Sequence, residues 1–258
     1  MMQVSQEKPE LKKQALTLAG AVAVRGRFQL GPLEASLPFG QITVVVGPNG
    51  AGKTTLTRVL LGQIPLKKGH IRLQEREIHT ARAEWRARLG FLSDDPNELL
   101  IECSAEELWR FCIGVNVLRF PKDIRSQMRA AMLRRARALA DMLHFLPPAR
   151  QPIAEYSLGM RKKTQLIAAL CTDPDIIILD EPRNGLDPIG IDQMHRLLRA
   201  LVAEGKLVLI ATHDLAWALA HAHNFLVLRA GRMVLAATAD EVKRKGGEAY
   251  LLDRLAQD

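Results

Sequence analysis

Gly47-Pro48-Asn49-Gly50-Ala51-Gly52-Lys53-Thr54 fits the pattern G-x-x-x-x-G-K-[ST], a loop built to wrap a row of phosphates. The run ahead of it, Ile42-Thr43-Val44-Val45-Val46, is short, apolar and β-branched, which predicts a buried strand. The run behind it, Thr55 to Leu61, predicts the opening turns of a helix. Strand, glycine-rich turn and helix in that order give the pattern its meaning. Glycines let backbone N–H groups approach phosphate oxygens with no side chain between them. Those groups and the positive end of the helix dipole then face the anion. Lys53 offers a point charge to the β- and γ-phosphates, Thr54 offers a hydroxyl to Mg²⁺, and Thr55 extends the phosphate-binding stretch.

A second stretch answers the first. Ile176-Ile177-Ile178-Leu179 is an apolar strand that ends in two carboxylates, Asp180 and Glu181. In a phosphate-loop ATPase, a carboxylate at the end of a neighbouring parallel strand lands beside the magnesium. Asp180 is therefore the expected metal-linked residue. Glu181 has left the strand, can point at the γ-phosphate, and can polarise the attacking water as a general base.

The chain has 258 residues, enough for one large domain or two small ones. Its 48% hydrophobic and 25% charged content is that of an ordinary globular protein. Apolar runs such as Ile176–Leu179 and Leu207–Ala211 are far shorter than the roughly 18–20 residues that cross a bilayer, so no transmembrane helix is expected. Met1 to Lys13 is polar and lacks the apolar core of a secretory signal. Cys103, Cys112 and Cys171 have no metal spacing and read as reduced core or near-core residues of a cytosolic protein. The net charge of +8 permits an anionic neighbour, either lipid, nucleic acid or an acidic partner. Much of the excess falls between Lys122 and Arg137, where Ile124, Met128, Met132, Leu133 and Ala136 recur at helical spacing. That pattern predicts an amphipathic helix whose basic face is either simply solvated or close to anionic lipid.

Along the chain, residues 14–46 predict short strands broken at Gly20, Gly26, Gly31-Pro32 and Pro38-Phe39-Gly40. A helix is expected over 53–63, a strand over Gly69–Leu73, a polar helical patch, and a strand over Leu89–Leu92. Helical periodicity dominates 94–170, interrupted at Pro121 and Pro147-Pro148. Then come a strand (176–180), a helix (189–204), a strand (207–211), a helix (214–223), a hairpin around Gly231 and a charged helical tail. The sum is an α/β fold. A phosphate-loop NTPase core carries a mostly parallel sheet, an N-terminal antiparallel β subdomain and an inserted α-helical subdomain.

These residues resemble the nucleotide-binding subunit of ATP-binding cassette (ABC) transporters, over about residues 14–240, with a helical insert near 94–170 and a tail at 241–258. Tyr156-Ser157-Leu158-Gly159-Met160-Arg161 resembles the family signature, usually Leu-Ser-Gly-Gly-Gln, with Ser157 and Gly159 at its key positions. They open a helix, so their N–H groups also suit a phosphate. Asn184-Gly185-Leu186-Asp187 resembles the D-loop, and His213 in Ala-Thr-His-Asp the switch histidine at the γ-phosphate.

Three positions depart from the family pattern. After Leu89-Gly90-Phe91-Leu92 the family usually has a Gln that reaches the metal and relays to the membrane partner; here Asp94 holds that position, shorter, charged and unable to donate as an amide. Ahead of the phosphate loop the aromatics are Phe28 and Phe39, so Phe28 or Arg25 is the candidate for stacking on adenine, with core packing the favoured role for Phe28. Arg183 stands where the family usually has a small polar residue.

The resemblance implies ATP and Mg²⁺ as cofactors, with the metal at Thr54, Asp180 and Asp94, and ATP hydrolysis carried by Glu181 and His213. In this family the phosphate loop and the signature that close one site come from opposing subunits, which implies a homodimer or pairing with a similar chain. It further implies a separate transmembrane permease, with the ATPase cytoplasmic and peripheral on the inner face of the cell membrane. Ser-Leu-Gly-Met-Arg and Asn-Gly-Leu-Asp-Pro (184–188) resemble bacterial export subunits more than importers. The alternative is a soluble cassette ATPase acting on nucleic acid or ribosomes; its known kinds usually fuse two cassettes or split one with a long coiled coil, so no nucleic acid is expected here.

Overall fold

Runs that are apolar at every position, rather than at every second one, mark strands covered on both faces. In the computed structural model, which describes residues 15–256 apart from 75, 79, 81 and 96–99, such runs form the central strands. The expected polar terminus, Met1 to Lys13, lies outside the described residues. In chain order the elements are β1 (Ala15–Arg25), β2 (Phe28–Pro38), β3 (Gln41–Val46), α1 (Lys53–Leu60), β4 (Leu66–Leu73), β5 (Arg76–Glu77), α2 (Ala83–Arg86) and β6 (Leu89–Leu92). There follow α3 (Ala105–Asn116), α4 (Arg125–Met142), α5 (Leu158–Leu170), β7 (Ile176–Asp180), α6 (Pro188–Ala203) and β8 (Leu207–Thr212). The chain continues through α7 (Leu215–His221), β9 (Asn224–Arg229), β10 (Arg232–Thr238), α8 (Ala239–Arg244) and α9 (Glu248–Ala256).

Two units form by contact, 1–86 with 201–258, and 87–200. In the first, β3 pairs in parallel with β8 on one side and β9 on the other, and β10 returns antiparallel on β9. Every residue of β8 is buried, and so is β3 beyond Gln41. An antiparallel sheet in the order β2-β1-β4-β5 belongs to the same unit. The sequence predicts short strands here; β1 and β2 are instead 11 residues each. Gly20 falls inside β1 and Gly31-Pro32 inside β2, at shifts of register between Leu18 and Ala23, so these residues bulge the sheet instead of ending it. The chain turns only at Gly26 and at Gly40, both at positive φ. At the C-terminal end of the described chain, α9 packs on β9 through the fully buried Leu251.

In the second unit β6 and β7 pair in parallel, Leu89 opposite Ile176 through Leu92 opposite Leu179. Helices α3, α4 and α5 pack on one another around Trp109, Ile113, Met132, Ala136, Leu139 and Ile167. The basic stretch of α4 is partly structural. Arg125 donates to the carbonyls of Phe120 and Leu118, and Arg135 donates to the carbonyl of Leu170 and pairs with Asp173 at 3.3 Å. All three cysteines are free; burial pushes the Cys171 thiol up to about 12, so it is inert at neutral pH. Among the described residues no helix is long and apolar enough to cross a membrane.

Candidate functional site

In the first unit, β3 delivers the loop and α1 receives it. Gly47 is fixed by lack of room: a Cβ there would stand 2.3 Å from the Leu228 carbonyl oxygen and 2.9 Å from the Ala51 methyl. Gly52 is fixed by conformation, φ 111°, and its absent Cβ would meet Leu30 at 2.9 Å and the ring of Phe28 at 3.2 Å. Backbone bonds close the turn: Ala51 N–H donates to the Pro48 carbonyl at 3.1 Å, and Gly231 N–H to the Ala51 carbonyl at 3.0 Å. Lys53 curls back so that Nζ donates to the Gly47 carbonyl at 2.6 Å and to Pro48 at 3.3 Å. A phosphate chain lying in the loop would meet that ammonium directly. Pro48, Asn49, Gly50 and Thr54 are exposed, Lys53 is half-buried, and Thr55 is buried in the first turn of α1, which carries no acidic residue. Phe28 is half-buried, with its ring edge against Gly52 and near Gly231, so it forms a side wall of the loop. His213 follows β8 directly and is exposed; Asp214, next to it, caps α7 by accepting from Trp217 N–H at 2.9 Å.

The second unit holds the carboxylates and the signature segment. Asp180 ends β7 and Glu181 follows at φ 42°, a left-handed conformation rarely adopted by side chains this long. Ser157 is the N-cap of α5, its hydroxyl accepting from Met160 N–H at 3.3 Å. The first turn of α5 carries no acid, so the helix dipole leaves partial positive charge at this tip. It meets the segment that resembles the D-loop: a Cβ on Gly159 would stand 3.1 Å from the Gly185 oxygen, and one on Gly185 would strike Leu158 at 2.3 Å. Asp187 then caps α6 by accepting from Gly190 N–H at 2.7 Å.

Asp94, in the loop after β6, joins these parts. Its Oδ1 accepts from Asn184 Nδ2 at 3.0 Å and faces Lys162 Nζ at 3.6 Å. Lys162 also donates to the Ser93 carbonyl at 3.3 Å. The Lys162 side chain is 4% exposed, against 44% for Asp94. Burial draws the Lys162 ammonium below its ordinary pKa, while Asp94, then Asp180 and Glu181, pull it back up. The sequence reading did not single out Lys162. Its signal was phase: residues 162, 166 and 170 lie one turn apart on α5 and are all buried, so a lysine interrupts an otherwise apolar stripe.

Thr54 in the first unit and Asp180 in the second each offer a hard oxygen of the kind magnesium takes. Mg²⁺ usually takes only one or two protein ligands and fills its shell with phosphate oxygens and water.

Residues 30–184 match the family described as ABC transporter. The chain is 34% identical to the daunorubicin resistance ATP-binding protein DrrA3 of Streptomyces coeruleorubidus, over 90% of this chain and 71% of that one. It is 31% identical to the energy-coupling factor transporter ATP-binding protein EcfA of Carboxydothermus hydrogenoformans, over 86% and 82%. It is 30% identical to the lipopolysaccharide export system ATP-binding protein LptB of Acidithiobacillus ferridurans, over 84% and 87%. A solved ATP-binding subunit of an ABC transporter shares the fold at TM-score 0.82 and 23% identity, over 94% of this chain and all of that one.

Proposed function

The chain belongs to the ABC transporter family, whose ATP-binding domains hydrolyse ATP to power transport, and we propose that it energises a separate membrane permease that works as an exporter. The observation that carries the reading is the phosphate loop, where a Cβ-intolerant Gly47 and a left-handed Gly52 lead into a lysine folded over the loop's own carbonyls. Export is favoured by the wording of residues 157–161 and 184–188, and by likeness to two relatives named for drug resistance and lipopolysaccharide export. EcfA is not named for export, so direction is tested by transport and not by likeness.

In this reading residues 47–55 would hold the phosphates of ATP, and Thr54, Asp180 and Asp94 would hold magnesium, which would supply positive charge to offset that of the phosphates. Glu181 takes a proton from the attacking water and His213 contacts the γ-phosphate. Phe28 flanks the loop and stacks on adenine. Ser157 and Gly159 present a second helix tip to nucleotide bound on an opposing protomer, so the working unit is a dimer of this chain or a pair with a similar one. Residues 14–240 make the ATPase, with the helical part near 94–170 facing the permease and 241–258 a tail. The protein sits on the inner face of the membrane only through that permease. Nucleic acid has no role in this reading, since cassette ATPases that act on it usually fuse two cassettes or split one with a long coiled coil.

The test is titration with labelled ATP with and without Mg²⁺, then pull-down of the tagged chain from membranes. Magnesium-dependent uptake that is lost in Lys53→Ala, together with a co-purifying multispan protein, is expected. Unchanged uptake in Lys53→Ala overturns the nucleotide site. Transport of cargo into inverted membrane vesicles tests direction, and ATP-driven loss of cargo from them overturns export.

A further inference from the structure

We propose that Lys162 is a positioning residue of the nucleotide site: reaching from the signature helix, it neutralises Asp94 and holds the loop after β6, so that an aspartate is tolerated beside the phosphates. This rests on the reading that Asp94 borders the nucleotide. Asp94 brings a third carboxylate to a neighbourhood that already holds Asp180 and Glu181, and ATP adds further negative charge. A lone aspartate there would repel the ligand. The ammonium at 3.6 Å from Oδ1 cancels that charge locally, and its bond to the Ser93 carbonyl at 3.3 Å fixes the backbone that carries Asp94. Asn184 completes the grip from the other side at 3.0 Å. The dependence is mutual: Lys162, almost wholly buried, takes its counter-charge from Asp94, and Asp94 with the loop that carries it is held by Lys162. Asp94 therefore links three segments, meeting the start of α5 by a charge contact and the loop after β7 by a hydrogen bond.

Three variants test this: D94N, K162Q and the double change. Each is titrated with fluorescent ATP in EDTA and again in excess Mg²⁺. K162Q leaves Asp94 uncompensated and is expected to weaken magnesium-free ATP binding about ten-fold, well inside the range for contacting residues. The loss with Mg²⁺ is smaller, because the metal supplies the missing positive charge. The double variant returns to within about two-fold of the parent. A merely structural lysine would not give a magnesium-dependent loss that removing Asp94 repairs. A double variant as weak as K162Q, or a K162Q that binds magnesium-free ATP normally, overturns the proposal. Should K162Q fail to fold, Lys162→Met, which keeps the buried length and removes the charge, takes its place: the same magnesium-dependent loss, repaired by adding D94N, is expected, and a Lys162→Met protein that binds magnesium-free ATP normally overturns the proposal. Lys53→Ala is run in parallel, since unaltered uptake there would sink the nucleotide site itself and not the pair.

Discussion

Glu181 carries two burdens at one position. Its place after an apolar strand made a catalytic role legible, but its backbone conformation was not, since no side-chain pattern announces φ 42°. A left-handed conformation costs an L-residue about 1–2 kcal/mol, a cost glycine largely escapes. Glu181→Gln keeps the strain and removes the base, whereas Glu181→Gly removes both. Both are expected to bind ATP without turning it over, and the glycine variant should melt a few degrees higher, at about 2–4 °C per kcal/mol for a chain near this size. Calorimetry on the two checks it, and equal melting temperatures would show that the strain is not there. His223 gives a second residue-scale expectation. Its Nδ1 accepts from Ile42 N–H at 3.0 Å, so the ring must be neutral to serve β3, while the His223 backbone N–H donates to the Ile42 carbonyl at 2.9 Å. Burial draws its pKa below the ordinary 6.5. The unfolded chain then takes the proton first. The contribution is whole above about pH 6.5 and is lost as pH falls toward the folded value. Melting curves of His223→Gln against pH should be flatter than the parent's on that acid side.

At the scale of elements, the readable features were those set by local chemistry. Helix α3 starts where a capping box allows it: Glu107 N–H donates to Ser104 Oγ at 3.4 Å, and the Glu107 carboxylate accepts from Ser104 N–H at 2.8 Å. Ser104→Ala should cost about 1 kcal/mol of stability in chemical denaturation, and no cost would mean the cap is redundant. The strands near the N-terminus are longer than their sequence predicts, for a physical reason. Glycine and Gly-Pro signal turns when only neighbours in sequence are considered. Within β1 and β2 they are held by partners far along the chain, Gly31 N–H donating to the Gly231 carbonyl at 2.7 Å. Long-range pairing of that kind leaves no local mark; for Lys162 the phase of α5 marks its burial, but nothing nearby in sequence marks its partner Asp94.

At the scale of the molecule, the chemistry is divided between two units: the phosphate loop and His213 in one, the carboxylates and the signature tip in the other. The signature tip is exposed at Ser157, and Leu158 beside it is 51% exposed although apolar. An electropositive helix end next to an uncovered leucine suits a surface that closes on an anion presented by another protomer. ATP bound at residues 47–55 would then count as part of the interface, and association would be governed by the nucleotide as well as by protein concentration. Light scattering should find one 28.7 kDa chain without nucleotide and two with ATP and Mg²⁺ when Glu181→Gln blocks turnover. Gly159→Asp in that background separates the two steps. Its carboxylate sits at the helix tip, where it repels the γ-phosphate of an opposing ATP, while the phosphate loop is untouched. It should bind ATP as the parent does and stay monomeric at every nucleotide concentration. A Gly159→Asp protein that still doubles its mass with ATP would mean that the signature tip does not meet the nucleotide, and a parent that never doubles would mean the same for the dimer itself.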